Sequence, residues 1–250
     1  MWNAVTVARR LVACMPLVAC LASPIAATEE GDYGALRRKL RAQIERDAAA
    51  TADATGRPRF SARVMDAIDA VPRHRFVPEP EIGNAYENRP LPIGHGQTIS
   101  QPYIVALMTE LLEPKSGHVV LEVGTGSGYQ AAVLAKLVAR VYTIEIVPPL
   151  AKAAAQRLRQ LGYGNVEVRL GDGYHGWREH GPYDGIIVTA AASAIPPPLI
   201  QQLKPGGRML IPVGAPFSAQ ELIVLSKDAN GKVSTRSVLP VAFVPLTGSR

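Results

Sequence analysis

Residues Val119–Gln130 have the sequence VVLEVGTGSGYQ, in which an apolar run is followed by a turn with three glycines. The apolar run predicts a strand that is buried on both faces of a sheet. Gly124, Gly126 and Gly128 allow a tight turn that a ligand can approach closely, and the next residues predict a helix whose first N–H groups are free. The spacing differs from the dinucleotide fingerprint G-x-G-x-x-G, because Tyr129 stands where that fingerprint has its last glycine.

Strands and helices are predicted to alternate from this segment onward. Apolar runs predict strands at Val119–Val123, Val141–Ile144, Val166–Leu170, Gly185–Thr189, Arg208–Val213, Leu222–Ser226 and Val233–Val238. Helices are predicted at Gln101–Leu112, Gly128–Ala139, Pro148–Leu161 and Pro197–Leu203. This alternation predicts an α/β fold with a doubly wound, Rossmann-like sheet that is mostly parallel and ends in an antiparallel hairpin. The order of the last strands stays open.

The residues before this sheet divide into an extension and the start of the domain. We expect one domain at residues 58–250, preceded by a helical and loop extension at residues 28–57. Leu40 and Ile44 have helical spacing in a charged, alanine-rich stretch and predict an exposed helix. Residues 72–101 are rich in proline, so we expect an ordered loop without regular elements there, and such long loops are usually functional.

Residues 1–27 have the layout of a secretory signal peptide. Arg9 and Arg10 precede an apolar run at Leu11–Ala22, and small residues follow it. The run is too short to span a membrane. We therefore expect export, as to a periplasm. Two alternatives stay open: lipid anchoring at Cys20, because LVAC resembles a lipoprotein processing box, and a start site placed too early for a cytoplasmic protein.

The composition is that of an ordinary globular protein. Of 250 residues, 47% are hydrophobic and 19% are charged, which is enough for one sizeable α/β core. The net charge of +6 is spread along the chain without a basic stripe, so nucleic acid is not an expected partner. Both cysteines, Cys14 and Cys20, lie in the signal-like segment, so we expect neither a disulfide nor a metal site. We expect a monomer.

Acidic residues follow or precede several of the predicted strands. Glu145 ends the second strand of the sheet, where an acid can accept hydrogen bonds from ribose hydroxyls. Asp172 and Gly173 follow the third strand, and Asp184 precedes the fourth. Simple solvation at a strand end is the alternative for each acid, and Asp184 could equally serve only to orient its turn.

Together, the glycine turn, Glu145 and the segment LKPGGRMLIPVG (203–214) resemble the motifs of class I S-adenosylmethionine-dependent methyltransferases. The resemblance implies that S-adenosylmethionine is the cofactor and that Asp172 lies at its adenine amine. The cofactor-binding residues that it implies are Glu122, Gly124, Gly126, Gly128, Glu145, Asp172 and Gly173.

A second resemblance is more specific. PLPIGHGQTISQPYIVALMTELL (90–112) resembles the protein-L-isoaspartate O-methyltransferase family, in which the serine of T-I-S-Q-P is the active-site residue, here Ser100. AIDAVPRHRFVPE (67–79), IIVTAA (186–191) and VAFVPLTG (241–248) extend this resemblance over about residues 60–248. The chain departs from the family pattern at Asn88, where many members have an acid.

This resemblance implies methylation of the free carboxylate of L-isoaspartyl residues in damaged proteins and peptides, which starts their repair to aspartate. A carboxylate is already ionised near neutral pH, so the reaction needs neither a metal nor a general base. It needs the carboxylate held about 3–3.5 Å from the methyl carbon. We expect Ser100 to orient it, with Thr98 and Gln97 as supporting contacts, and we expect His95 to contact only backbone or solvent. Alternatively, Ser100 caps the following helix.

Two other functions stay open at this point. A relative with the same fold could methylate a small molecule, although this leaves the GQTISQP loop (96–102) unexplained. A non-catalytic, exported cofactor-binding protein would be favoured by degraded glycines or by loss of Ser100, and the sequence has neither.

Overall fold

The computed structural model describes residues 1–2, 24–215 and 219–248. The chain divides into two compact units, Met1–Ala35 and Leu36–Arg250, and the second contains the sheet. Most of the signal-like segment, including Cys20, lies outside the described residues. Within the described ranges, no helix combines the length and the apolar character needed to cross a membrane.

The described residues form the following α-helices and strands. The helices are α1 (Pro24–Ala50), α2 (Ala52–Thr55), α3 (Ala62–Ala70), α4 (Pro102–Leu112), α5 (Tyr129–Ala135), α6 (Pro148–Gln160) and α7 (Pro197–Gln201). The strands are β1 (Leu91–Gly94), β2 (Gln97–Ile99), β3 (Val119–Val123), β4 (Arg140–Glu145), β5 (Val166–Leu170), β6 (Tyr183–Val188), β7 (Leu203–Val213), β8 (Gln220–Lys227) and β9 (Val233–Val241).

The main sheet has seven strands in the order β5-β4-β3-β6-β7-β8-β9. The first five strands in this order, β5, β4, β3, β6 and β7, run parallel, and β8 and β9 add an antiparallel hairpin. The predicted doubly wound sheet is therefore confirmed, and the order of its last strands is now defined. The chain moves outward from β3 to β5 and then returns to the other side of β3, which opens a crevice at the carboxyl end of β3.

Apolar side chains between the sheet and its helices form the core. Leu121, Ile186 and Met209, on three neighbouring strands, belong to one cluster and are each 0% exposed. Burying a side chain of this size contributes about 1.5–3 kcal/mol. This packing fixes the strand ends that carry the polar residues of the site.

The predicted N-terminal helix is present, but its expected exposure is wrong, and so is the expectation of no regular elements at residues 72–101. Leu40 and Ile44 are 3% and 0% exposed, so α1 buries one face, and Arg41 on this helix pairs with Asp66 and Asp69 near α3. Residues 72–101 are not a loop without regular elements: they contain two 3-10 helices and the β1–β2 hairpin. These elements are too short to show a periodicity in the sequence.

Candidate active site

A cavity open to solvent lies at the carboxyl ends of β3 and β4, where the topology predicts a binding crevice. We call it the cofactor cavity, and it has about 760 Å³ of empty volume. Among the described residues that line it, Glu122 and Glu145 carry carboxyl groups, and none is a lysine, arginine or histidine. A lining without cationic side chains, whose carboxyl oxygens can accept hydrogen bonds, suits a ligand with a sulfonium, an ammonium and hydroxyl groups better than a pyrophosphate. The residues present therefore fit S-adenosylmethionine.

Two glycines of the turn have different structural roles. Gly124 has φ +99°, and a Cβ added there would collide with Oγ1 of Thr189, which donates a hydrogen bond to the Gly124 carbonyl at 2.7 Å. Gly128 has φ +90°, and a Cβ there would lie 3.1 Å from Leu158 Cδ1 on α6. Gly124 lines the cofactor cavity, whereas Gly128 lies outside its lining and allows close packing of the helices.

Glu145 lies at the edge of the cofactor cavity and is 6% exposed. Its Oε2 accepts a hydrogen bond from the Gly126 N–H at 2.7 Å, and its Oε1 accepts one from the Val147 N–H at 2.9 Å. Each carboxylate oxygen can accept a second hydrogen bond. The carboxylate is thus fixed by two loops and can still bind hydroxyl groups of a ligand.

Glu122 is a fully buried acid in the wall of the same cavity. The Thr143 hydroxyl donates to its Oε2 at 2.5 Å and lies 2.6 Å from the Thr125 hydroxyl, whereas Oε1 has no hydrogen-bond partner in the described residues. Burial is the main cause that raises the pKa of Glu122 to about 8, and the charge of Glu145 acts in the same direction. Glu122 is therefore mostly protonated at neutral pH.

Glu122→Gln is expected to make the stability of the protein less dependent on pH. Because the pKa of Glu122 is about 8 in the folded protein and near 4.5 otherwise, the folded state retains a proton that the unfolded state loses between these values. The contribution of Glu122 to the free energy of unfolding is complete below about pH 4.5. It is lost as the pH rises to about 8, by up to about 1.4 kcal/mol per pH unit. Denaturant unfolding of both proteins at pH 5 and pH 8 measures the difference, and equal pH dependence would contradict the assignment.

Asp172 lies beside the cofactor cavity but does not line it, whereas Gly173 does. The Asp172 Oδ1 accepts a hydrogen bond from the Tyr174 N–H at 2.9 Å, and its buried Oδ2 has no hydrogen-bond partner among residues 24–215 and 219–248. This oxygen lies so close to Gly248 that a Cβ on Gly248 would collide with it. The contact between Asp172 and an adenine amine stays a prediction.

Asp184 has a structural role at the opposite end of the sheet. Its Oδ2 accepts a hydrogen bond from the Val119 N–H at 2.8 Å, and its Oδ1 pairs with Lys204 at 2.9 Å. Burial acts to raise the pKa of Asp184, but these two contacts outweigh it and lower the pKa. Of the two alternatives, the structure supports the one in which Asp184 orients the strand ends.

The substrate loop predicted from the sequence does border the cofactor cavity. Gln97, Thr98 and Ser100 all line it. Helix α4 begins at Pro102 with Gln101 as its N-cap, and no side chain caps it, so Ser100 does not serve as a cap. His95 lies exposed in the β1–β2 turn with φ 54° and lines neither this cavity nor the groove described next, in agreement with its expected minor role.

A second cavity adjoins the first on the side of the substrate loop. It has about 1000 Å³ of empty volume, and we call it the acceptor groove. It shares Thr98, Ser100, Thr189 and Val244 with the cofactor cavity. Its other lining residues in the described ranges carry no charge: Pro90, Gln101, Ile104, Ala219, Pro240, Val241, Ala242 and Phe243. Ser100 therefore lies where the two spaces meet.

Several residues of this site were absent from the sequence-based prediction. Thr189 follows β6 and holds the glycine turn, and residues 244–247 close one side of the cofactor cavity. Both lie in segments that carry the family resemblance, IIVTAA and VAFVPLTG, which was the available signal. The unusual Asn88 also has an explanation, because its Nδ2 donates to Asp47 on α1 while its Oδ1 accepts from the Tyr103 N–H on α4. An acid at position 88 would face Asp47.

Known proteins resemble this chain over most of its length. The family model described as protein-L-isoaspartate(D-aspartate) O-methyltransferase matches residues 54–250. A Syntrophobacter fumaroxidans protein named protein-L-isoaspartate O-methyltransferase 2 is 63% identical over 216 residues, which cover 86% of this chain and 87% of that protein.

Solved structures agree with this result. One named protein-L-isoaspartate O-methyltransferase is 28% identical, has a TM-score of 0.74, and is matched over 85% of this chain and 66% of its own chain. A Plasmodium falciparum structure in complex with S-adenosyl-L-homocysteine is 24% identical with a TM-score of 0.70, over 86% of this chain and 97% of that chain, and supports the fold alone. The resemblance found in the sequence is confirmed: the chain belongs to the protein-L-isoaspartate(D-aspartate) O-methyltransferase family, whose members are S-adenosylmethionine-dependent enzymes.

Proposed function

We propose that this chain methylates the α-carboxylate of L-isoaspartyl residues in proteins and peptides, and that Ser100 orients this carboxylate. The observation that carries the proposal is the position of Ser100 at the junction of the cofactor cavity and the acceptor groove. A group bound at this junction can face a cofactor on one side, while the rest of a polypeptide occupies the groove.

The residues of the cofactor cavity would hold S-adenosylmethionine through its charges and its ribose. When bound, the cofactor supplies an electrophilic methyl group on a sulfonium. Glu145 is fixed by backbone N–H groups so that its remaining lone pairs can accept hydrogen bonds from the ribose hydroxyls. The unpartnered Oε1 of Glu122 and the hydroxyl groups of Thr125 and Ser127 offer further polar contacts in the wall.

The acceptor side needs positioning and no proton transfer. The substrate carboxylate is ionised near neutral pH, because its pKa in water is about 4. The hydroxyls of Thr98 and Ser100 can donate hydrogen bonds to it from the loop that borders both spaces. Neither residue has to remove a proton, which agrees with the position of His95 outside both linings.

Glu145→Gln is expected to weaken the binding of S-adenosyl-L-homocysteine by about 10-fold to 100-fold, because hydrogen bonds to a charged group contribute about 1.5–3 kcal/mol each. The amide would also leave one of the two backbone donors, Gly126 or Val147, facing an NH₂ group. Titration calorimetry measures the affinity. Glu167→Gln, on the neighbouring strand β5 and outside the cavity, is the matched control and should bind normally. Unchanged affinity in Glu145→Gln would show that Glu145 only holds the loops.

The acceptor groove favours a polypeptide over a small-molecule acceptor, because about 1000 Å³ of mainly apolar space continues beyond Ser100. Mass spectrometry of an isoaspartyl peptide incubated with the protein and S-adenosylmethionine tests this proposal. We expect a methyl ester first, then loss of methanol as the next backbone nitrogen closes a succinimide, and finally some normal aspartyl peptide. A methyl ester on free dicarboxylic acids but not on the peptide would support the small-molecule alternative.

We further propose that the protein acts after export and as a monomer. The basic and apolar pattern of residues 1–27 supports export. Cell fractionation followed by N-terminal sequencing tests it: a mature end near Thr28 supports cleavage, a lipidated Cys20 supports anchoring, and an intact N-terminus in the cytoplasm contradicts both. Analytical ultracentrifugation tests the monomer.

A further inference from the structure

Arg73 is a buried arginine directly behind the wall of the cofactor cavity. It lies in the 3-10 helix Arg73–Phe76, within one of the segments that resemble the family, and is 0% exposed. Its Nε donates to the Ala85 carbonyl and its Nη2 donates to the Ser100 carbonyl, each at 2.9 Å. No ion pair in the described part of the chain includes Arg73.

A buried guanidinium without a carboxylate partner is costly, because two carbonyl groups replace only part of its hydration. The Tyr129 ring offsets some of this cost, with its centroid 4.8 Å from the Arg73 Cζ. Within the part of the chain that the structure describes, the Arg73 Nη1 and the Tyr129 hydroxyl are both buried and have no hydrogen-bond partner. Burial lowers the pKa of Arg73 to about 10, so the side chain remains charged at neutral pH.

Two of the three neighbours of this charge, Ser100 and Tyr129, line the cofactor cavity, whereas Ala85 does not. Ser100 belongs to the substrate loop, and Tyr129 is the first residue of α5 after the glycine turn. Arg73 therefore connects the loop that holds the acceptor to the helix that follows the cofactor turn. The positive charge lies behind Ser100, whereas the carboxyl groups of Glu122 and Glu145 lie in the wall of the cavity.

We propose that Arg73 is a positioning residue for Ser100 and that its uncompensated charge makes the acceptor site selective for an anionic group. The proposal rests on the proposed function, in which the acceptor is a carboxylate. For a separation of about 8 Å between the Arg73 guanidinium and the acceptor carboxylate, and an effective dielectric constant of about 20, their attraction changes the dissociation constant of the acceptor by about thirty-fold. A buried charge acts at this strength because salt screens it little.

Two peptides that differ in one group test the proposal. Both contain an isoaspartyl residue, and the free α-carboxylate of one is an α-carboxamide in the other. Their dissociation constants are measured by titration with S-adenosyl-L-homocysteine present, for wild type, Arg73→Met and Arg73→Lys. We expect wild type to prefer the carboxylate by about thirty-fold or more, Arg73→Met by less than about three-fold, and Arg73→Lys, which keeps the charge, by more than about ten-fold.

Arg63→Met is the control, because Arg63 also donates to two carbonyls, but those of Pro114 and Leu137 belong to residues that line neither cavity, whereas Ser100 lines both. It should keep the wild-type preference. Thermal unfolding and the affinity for S-adenosyl-L-homocysteine show which variants are folded. If Arg73→Met does not fold, the test rests on the carboxylate preference of Arg73→Lys: a retained preference supports the role of the charge, and a lost preference overturns it.

The outcomes separate this proposal from the proposed function. A folded Arg73→Met that binds both peptides more weakly but keeps the wild-type preference would show a merely structural role and overturn the proposal. A folded Arg73→Lys without the preference would overturn it as well. A wild-type protein that binds the two peptides equally would overturn the selectivity assigned to Arg73, whereas a folded wild-type protein that does not methylate the isoaspartyl peptide would contradict the proposed function itself.

Discussion

Gly124→Ala is expected to raise the dissociation constant of S-adenosyl-L-homocysteine by about 100-fold or more, because the added methyl group would displace the glycine turn that lines the cofactor cavity. The new Cβ would collide with Thr189 Oγ1, whose hydroxyl holds the turn through the Gly124 carbonyl. At φ +99° an alanine is also strained, so the free energy of unfolding should fall by about 1–3 kcal/mol. Titration calorimetry and denaturant unfolding measure the two effects.

Gly206→Ala separates strain from collision. Gly206 has φ +79°, but no atom lies within 4 Å of a Cβ added there, and it lies outside the cofactor cavity. This control should lose about 1–2 kcal/mol of stability and bind S-adenosyl-L-homocysteine normally. If Gly124→Ala also binds normally, the close contact with Thr189 is not needed for the cofactor site.

Ser100→Ala is expected to lower kcat by about 100-fold, because a carboxylate displaced by about 1 Å from the line of attack loses that much rate. The affinity for S-adenosyl-L-homocysteine should change less than about two-fold, because binding rests on the glycine turn and Glu145. Methyl-transfer rates and titration calorimetry on the same preparation test this prediction.

Ser237→Ala is the matched control for this serine. Ser237 is exposed on β9, and its hydroxyl donates to Glu221 at 2.7 Å, outside both cavities. It should retain the wild-type rate and affinity. A large loss of cofactor affinity in Ser100→Ala would mean that Ser100 supports the fold of the loop and does not orient the acceptor.

Much of the sheet could be predicted because each strand is a short apolar run between turn residues. The prediction for β5 matches its observed bounds, and β3 ends at the glycine turn as expected. The start of β7 was missed by five residues, since Lys204, Pro205 and two glycines at its start disguise the strand. Residue pattern predicts which segments are strands, whereas bounds depend on pairing with neighbours.

The contacts that complete the site were harder to predict, because they join residues far apart in the chain. In the sequence, Arg73 belongs to the basic stretch RHR (73–75), a pattern that is typical of a solvent-exposed segment. In the structure, it is fully buried against Ser100 and Tyr129. Asp172 follows its strand as predicted, but Gly248 from the end of the chain lies against its carboxylate. The sequence predicts which residue types meet at the carboxyl ends of the strands, and only the tertiary structure shows their partners.

The most direct test of the proposed function is methyl transfer to two peptides that differ only in one aspartyl linkage. Protein without residues 1–27 receives S-adenosylmethionine with a labelled methyl group and either the isoaspartyl or the aspartyl peptide. We predict that base-labile label appears on the isoaspartyl peptide alone and that Ser100→Ala reduces it strongly. Equal labelling of the two peptides, or no labelling of either by folded protein that binds the cofactor, would contradict the proposed function.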